Sequence, residues 1–435
     1  MLLVLREFQG TPGSMTIVKN QNFATAKNPL YCMFFISCGT IGLMKESSSE
    51  GNGAKNFENK HRLSLHEYVK SDYLSSQLIT CIGNKRSLIM PIATVVGDIQ
   101  KRLGGRKLRC ADLFSGSGVV SRLLKAYAEF IHSNDIEPYA EALSYCYLTN
   151  KSTVDLQTLD FSVFMLNNLV DYLASNNENI GFIEELYSAH DETNITKSDR
   201  LFYTKENARR LDIYRTLIEE VDTQFKQLLM GPILSEASIH ANTAGVFKGF
   251  YKDRKTGIGH FGGTGRDALS RILGKIEISF PALSTFECDY EVTREDANKI
   301  APTLKNMDLV YLDPPYNQHP YGSNYFMLNL IVSYKRPEKI SKVSGIPENW
   351  QRSGYNNRQK ASLLLKDLVE KLDAKFILIS FNSEGFITKE TMASILEPLG
   401  KVTVTSCPYN TFRGSRNLRN RSIHVTEFLY LLEKQ

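Results

Sequence analysis

Residues 108–138 read LRCADLFSGSGVVSRLLKAYAEFIHSNDIEP. A run of strand character, Leu108 to Phe114, breaks at Ser115-Gly116-Ser117-Gly118. A helix follows with Val119, Val120, Leu123, Leu124 and Tyr127 on its apolar side. Phe130 to Asn134 predicts a second short strand, which ends in Asp135-Ile136-Glu137. Pro138 then opens a helix to about Leu148, at a position where a missing N–H and a fixed φ cost nothing. Strand, glycine turn, helix, strand, acid is the order of a doubly wound α/β sheet. Such glycines let backbone approach a ligand closely, and an acid about 20 residues on is where ribose hydroxyls are held. Many glycine turns merely pack a helix on a strand; Asp135 tips this one toward a ligand. No G-K-[ST] phosphate loop is present, so a nucleoside without a triphosphate is expected rather than ATP.

Working toward the N-terminus, Arg86 to Leu103 is apolar at helical spacing and stops at Gly104-Gly105. Before it, Tyr73 to Lys85 is a short lead-in ending in Cys81-Ile82-Gly83-Asn84-Lys85. Leu30 to Met44 is the one candidate membrane segment, but its 15 residues include Ser37, Gly39, Thr40 and Gly42. A span needs about 20 strongly apolar residues, and no signal-peptide cleavage pattern follows. No membrane role is expected. Lys45 to Arg62 is polar and Ser/Gly/Asn-rich, as disordered linkers are, so residues 1–62 read as a dispensable extension.

Working toward the C-terminus, the βα rhythm breaks at about Lys151 and returns at about Ser284. The intervening segment is helix-like (Val163 to Tyr172, Asn207 to Leu229) and then basic: seven Lys/Arg lie between Ala241 and Lys275, among them Arg254, Lys255 and Arg266. Phe247, Phe250, Tyr251 and Phe261 are interleaved, a combination that suits a phosphate backbone and unstacked bases. The rhythm resumes with a strand expected at Ser284 to Cys288, then Asp289-Tyr290, a helix around Glu295 to Leu304, and a strand at Asp308 to Leu312. That strand ends in Asp313-Pro314-Pro315-Tyr316. Two prolines without N–H groups stop it and leave carbonyls pointing outward. Asp313 and the Pro314 carbonyl are placed to accept the two hydrogens of a planar amino group, with Tyr316 stacked on the ring that bears it. Helices at Ala361 to Leu372 and Thr388 to Leu399 and strands at Phe376 to Phe381, Val402 to Ser406 and His424 to Leu432 complete the sheet. Between the last two strands Arg413, Arg416, Arg419 and Arg421 occur with no acid among them, a set that fits several phosphate contacts.

Bulk properties permit this reading without demanding it. The chain has 435 residues, enough for two or three domains, 42% hydrophobic and 23% charged residues, and a net charge of +5. Seven cysteines without a C-x-x-C pair or a Cys/His cluster argue against zinc and against a disulfide framework, and place the chain in a reducing cytosol.

Taken in order, these residues resemble the Dam-like class of adenine-N6 DNA methyltransferases. The class carries an aromatic-x-Gly-x-Lys element, an Asp-x-Phe-x-Gly-x-Gly loop, an acid after the second strand, a target-recognition insert, an Asp-aromatic element and Asp-Pro-Pro-Tyr. Here the corresponding stretches are Gly83/Lys85, Asp112 to Gly118, Asp135, an insert of about Lys151 to Pro281, Asp289-Tyr290 and Asp313 to Tyr316. Asn324-Tyr325, Ser380-Phe381-Asn382 and Arg413-Gly414-Ser415-Arg416-Asn417 are similar to restriction-modification members, and the match runs from about Thr80 to Lys434. One position departs: Cys81 stands where the aromatic is expected.

The resemblance implies an S-adenosylmethionine-dependent, Rossmann-like α/β fold with an inserted, largely helical target-recognition domain. Its parts would be 1–62 (extension), 63–150 (cofactor half), 151–281 (insert) and 282–435 (methyl-transfer half). It implies S-adenosylmethionine bound by Gly83, Lys85, Asp112, Phe114, Gly116 and Gly118, with Asp135 on its ribose, Asp289 near its adenine and Asp313 beside its amino-acid end. Lys85 would neutralise the cofactor's carboxylate. Asp313, Pro314, Pro315 and Tyr316 would form the reaction centre. Duplex DNA would be contacted by Arg254, Lys255, Arg266, Arg413, Arg416 and Arg419, with a restriction endonuclease as possible functional partner, in the cytoplasm of a bacterial or phage-infected cell. RNA adenine-N6 and DNA cytosine-N4 transfer are the rival activities. A non-catalytic nucleic-acid-binding module is the rival of another class, against which intact Asp313, Tyr316 and Asp135 argue.

Overall fold

Hydrophobic alternation along two strands organises the molecule. In the computed structural model, which describes residues 71–76, 78–81, 83–176, 181–263, 268–410 and 424–435, seven strands form one sheet. They are β1 (Leu108–Asp112), β2 (Ala128–Asn134), β3 (Asp289–Thr293), β4 (Met307–Leu312), β5 (Ala374–Asn382), β6 (Gly400–Asn410) and β7 (His424–Lys434), in the order β3-β2-β1-β4-β5-β7-β6. Every residue of β4 is buried. Its Leu309 and Tyr311 enter the core on one face of the sheet, while Val310 and Leu312 enter the core on the other. Phe376 and Leu378 of β5 divide from Ile377 and Ile379 in the same way. A period of two that buries both faces is what a central parallel strand requires. Truncating one such residue, Leu309→Ala for instance, is worth about 2–5 kcal/mol of stability.

β1 to β5 run parallel, and β7 inserts antiparallel between β5 and β6. The carboxyl ends of β1, β2 and β4 therefore open on one edge, where ligands of doubly wound sheets bind. The register Asn382↔Glu427 between β5 and β7 brings the start of β7 to that same edge.

The helices follow their apolar spacing closely. Ile89–Arg102 is preceded by a 3-10 turn, Arg86–Leu88, and Pro138–Leu148 starts on its proline. The run expected as one helix from Asn207 to Leu229 is two, Lys205–Ile218 and Thr223–Ile239. The break has a local cause: Asp222 caps the second helix by accepting from the Gln224 N–H. The strand expected at Ser284 to Cys288 is irregular, and β3 begins one residue later, at Asp289. There Asn150 bonds both the amide and the carbonyl of Cys288, and Ser152 bonds Glu287, so the segment is tied to the end of the preceding helix rather than to the sheet. The insert's helices continue the core on the β1–β2 side, where Leu166, Leu211 and Leu234 pack in one cluster with Leu123 and Ile131. All of these residues belong to one compact unit, Leu63–Gln435. Among the described residues no helix is long and apolar enough to cross a membrane. The expected extension 1–62, Arg266 and the arginines of 413–421 lie outside the described residues.

Candidate active site

A cleft opens at the carboxyl ends of β1, β2 and β4, and its floor is the glycine turn. Gly116 and Gly118 adopt φ of 51° and 73°, left-handed values that a side chain would strain. The Gly118 N–H closes the turn on the Ser115 carbonyl at 2.7 Å, and the Ser115 N–H reaches the carbonyl of Asn134 at 3.0 Å, which ties the turn to β2. Asp135, just past β2, accepts from the Gly116 N–H at 2.8 Å and from the Glu137 N–H at 2.9 Å. Burial raises its carboxyl to about 6 despite those donors. Asp112, at the end of β1, accepts from Ser121 Oγ at 2.7 Å through Oδ2, while its buried Oδ1 has no donor. Burial lifts this carboxyl to about 7. An open acceptor on the wall of a cleft that also holds Asp135 suits the cationic amino-acid end of a nucleoside such as S-adenosylmethionine.

Asp313 stands where β4 stops. Pro314 and Pro315 interrupt the ladder, and the Tyr316 carbonyl accepts from the Phe386 N–H at 2.9 Å, which fixes the turn against the end of β5. Lys85 Nζ lies 2.9 Å from Asp313 Oδ1, 3.2 Å from Glu427 Oε1 and 3.2 Å from the Gly83 carbonyl. The ammonium thus faces two carboxylates and one backbone carbonyl. In this geometry Lys85 is the charge partner of the strand-end acid. Burial works to lower the lysine's pKa, and Asp313 and Glu427 outweigh it, holding the ammonium well above its ordinary range. For Asp313 burial dominates and raises the carboxyl to about 6, with Lys85 opposing and Glu427 assisting.

Of the residues expected at the cofactor, Gly83, Lys85, Asp112, Phe114, Gly116, Asp135 and Asp313 all line this cleft, as does Pro315. Gly118 caps the following helix, Val119–Lys125, immediately behind the turn. Asp289 does not belong to the group. It is the first residue of β3, exposed, and paired with Phe130 at the far end of the parallel strands from the cleft. The acid that reaches the cleft from this strand is Asp296, beyond the carboxyl end of β3, which also caps the next helix by accepting from the Asn298 N–H. Arg254 and Lys255 are exposed at the tip of a loop closed by a Lys252↔Gly259 bridge. Arg266, Arg413, Arg416 and Arg419 lie outside the described residues.

Four further side chains to which the motifs assign no role also line the cleft. Glu137 is buried on the cleft wall, bonded to Asn329 Nδ2 at 2.7 Å, and burial raises its carboxyl to about 8. Tyr355 meets Phe114 edge to face at 5.3 Å and bonds Asn298 through its hydroxyl at 2.8 Å, so the connection before the Ala361–Lys371 helix supplies a wall. Cys81 lines the cleft too, and hydrogen-bonds with the side chain of Tyr325. Tyr321, stacked on Tyr325 with ring centroids 5.9 Å apart, adds an aromatic surface beside it. Glu427 had one signal, a lone acid within the apolar run Val425 to Leu432. Among the described residues no group of three or more His, Cys, Asp or Glu is placed to hold a metal ion.

Residues 82–395 match the family model described as D12 class N6 adenine-specific DNA methyltransferase. The chain is 28% identical over 362 residues to the type II methyltransferase M.NlaIII of Neisseria lactamica, covering 81% of this chain and 98% of that one. It is 28% identical over 348 residues to M.CviAII of Paramecium bursaria Chlorella virus 1, covering 78% and 94%. The modification methylase StsI of Streptococcus sanguinis is 26% identical over 374 residues, covering 81% of this chain and 52% of StsI.

Proposed function

The chain belongs to the D12 class of N6 adenine-specific DNA methyltransferases, and on that premise we propose that it is a site-specific enzyme whose reaction centre is Asp313-Pro314-Pro315-Tyr316. Membership decides among the targets left open by the sequence: the methyl group goes from S-adenosylmethionine to the N6 amino group of adenine in DNA. The observation that carries the residue assignment is the pair of buried Lys85 and half-buried Asp313 at the end of β4, within the same cleft as Asp135 and the glycine turn.

An adenine inside a duplex is out of reach of that cleft, so the base is flipped out at a cost of a few kcal/mol. Stacking on Tyr316 recovers about 1–3 kcal/mol of it. The exocyclic nitrogen is a weak nucleophile because its lone pair is delocalised into the ring. Lys85 occupies Oδ1 of Asp313, so Oδ2 is the oxygen turned to the substrate. With the Pro314 carbonyl it accepts both N–H bonds, favouring the pyramidal nitrogen whose lone pair points along the line of attack. When bound, S-adenosylmethionine supplies an electrophilic methyl group on a sulfonium. Asp313, or water beyond it, takes the surplus proton. Asp112 and Asp135 hold the cofactor's amino-acid end and ribose, and Asp296 and the Phe114–Tyr355 pair flank its base.

The segment 151–281 is read as the target-recognition part, with Arg254 and Lys255 on the DNA backbone. Because relatives are named type II methyltransferases, the reading extends to protection of DNA against a cognate endonuclease in the cytoplasm of a bacterial or phage-infected cell. The test is incubation with labelled S-adenosylmethionine and duplex DNA, followed by digestion to nucleosides. Label is expected in N6-methyladenine alone. Asp313→Ala is expected to abolish labelling while the protein still retards duplex DNA; turnover retained in that variant sinks the assignment.

A further inference from the structure

Glu427 has no part in any motif of the sequence, yet it sits in the innermost layer of the site. It is 3% exposed, on β7, opposite Asn382 of β5. Its Oε1 accepts from Ser380 Oγ at 2.6 Å and lies 3.2 Å from Lys85 Nζ; its Oε2 accepts from Asn382 Nδ2 at 3.3 Å. Ser380 is fully buried and Asn382 is 5% exposed, so neither exchanges its bond to Glu427 for water. The carboxylate is thus clamped by two side chains of the neighbouring strand and aimed at the one ammonium that also holds Asp313.

One positive charge is shared between two carboxylates, Glu427 buried and Asp313 half-buried at the cleft. If Asp313 alone faced Lys85, the ammonium's full field would fall on the oxygen atoms that must accept the substrate's N–H bonds, and the acceptor would be weakened. A second anion on the far side of Nζ draws part of that field away and fixes Nζ against Oδ1. We propose that Glu427 is a positioning residue for methyl transfer, holding and part-neutralising Lys85 so that Asp313 remains a strong hydrogen-bond acceptor for the amino group. This rests on the reading of Asp313 as the reaction-centre acid. Other ionisable groups facing Asp313 are Asp112 at the end of β1, Asp135 beyond β2, Tyr311 on its own strand, Tyr321 in the loop that follows and Cys81 in the lead-in. Only Lys85 among these is cationic.

The test is the pH profile of single-turnover methyl transfer, with DNA and S-adenosylmethionine saturating. The wild-type rate rises with pH through the ionisation of Asp313, near 6. In Glu427→Gln, which keeps the shape of the side chain and removes its charge, Lys85 acts on Asp313 unopposed. The midpoint is then expected to fall by about half a pH unit or more and the plateau rate by about tenfold, with affinities for DNA and cofactor within about twofold of wild type. A residue that only packs would lower the rate and leave the midpoint in place. Glu427→Asp keeps the charge but withdraws it by one methylene, and is expected to move the midpoint the same way by less. An unmoved midpoint in either folded variant, judged by its melting curve, overturns the proposal. Turnover retained in Asp313→Asn would instead overturn the reading of Asp313, whatever Glu427 does.

Discussion

Asp135 is the residue on which cofactor affinity should turn most simply. Its carboxylate already organises the glycine turn, through the Gly116 and Glu137 amides, and has lone pairs to spare for hydroxyls. Asp135→Asn substitutes an N–H2 where one of those backbone donors points, so one bond is replaced by a clash of donors. The expected result is a rise of about 10- to 100-fold in the KM for S-adenosylmethionine, equivalent to about 1.4–2.7 kcal/mol, with the single-turnover rate at saturating cofactor changed much less. Steady-state titration of the cofactor checks it. Asp135 and Asp313 were legible in the sequence because each is announced by its immediate neighbours: a strand before it and a turn or proline after it. Asp289 opens β3, an edge strand with one buried residue, Val292. With so little apolar signal, an acid that begins the strand reads from sequence as one that ends the segment before it. The pairing of Lys85 with Asp313 and Glu427 is not legible, since nothing local to residue 85 reveals that the two acids converge on it.

At the scale of an element, the loop bearing Arg254 and Lys255 is built to project charge. Asp253 gathers the Lys255 and Thr256 amides and the Thr256 hydroxyl onto one carboxylate oxygen, an Asp-centred turn. The bridge Lys252↔Gly259 closes the loop beneath it. Lys252 lies 4.2 Å over the Phe250 ring, and the Phe247 N–H bonds the Asn324 carbonyl at 2.7 Å, which joins the base of the loop to the segment following Tyr316. Exposed basic side chains presented by such a turn are expected to meet phosphates. The double substitution Arg254→Ala, Lys255→Ala should weaken DNA binding alike for all sequences and reduce the slope of log affinity against log salt by about 2. The rate at saturating DNA should stay unchanged. Binding isotherms at several salt concentrations decide it; an unaltered slope removes both residues from the interface. The basic and aromatic character of this loop was evident from composition, but its turn was not, because it depends on one aspartate's side-chain geometry.

Over the whole molecule, the cleft leaves a signature in stability. Asp112, Asp135, Glu137 and Asp313 are held at about 7, 6, 8 and 6, all raised by burial from ordinary values of 3.8 for Asp and 4.5 for Glu. Between about pH 4 and 8 the folded chain therefore binds more protons than the unfolded one, and stability falls as pH rises through that window. Asp212, raised by burial to about 6, adds to the four; His132 and His319, both lowered by burial, work in the opposite direction in the middle of the window, two groups against five. Asp308 is held near 2, where burial is outweighed by the Arg106 and Lys375 cations and the Arg109 amide, and its contribution is lost only as pH falls below about 4. Protein without cofactor is expected to melt several degrees higher at pH 5 than at pH 8, and added S-adenosylmethionine, which suits the ionised carboxylates, should narrow the gap at pH 8. An equal or higher melting temperature at pH 8 without cofactor would contradict this. Apart from its edge strand β3, the doubly wound sheet is readable from its apolar runs, since burial on both faces leaves a periodic trace. The convergence of its two ends was not, because periodicity carries no information on pairing between distant strands.

That convergence also orders events in time. Chains emerge from the ribosome N-terminal part first, so the glycine turn, Asp135 and Lys85 are available long before β7. Until residues 424–434 appear, β5 lacks its antiparallel neighbour, and Lys85 has only Asp313 to share its charge. A growing chain can thus pair Lys85 with Asp313 before Glu427 joins them, and the set of charges proposed to position the amino group is complete only once β7 has been made.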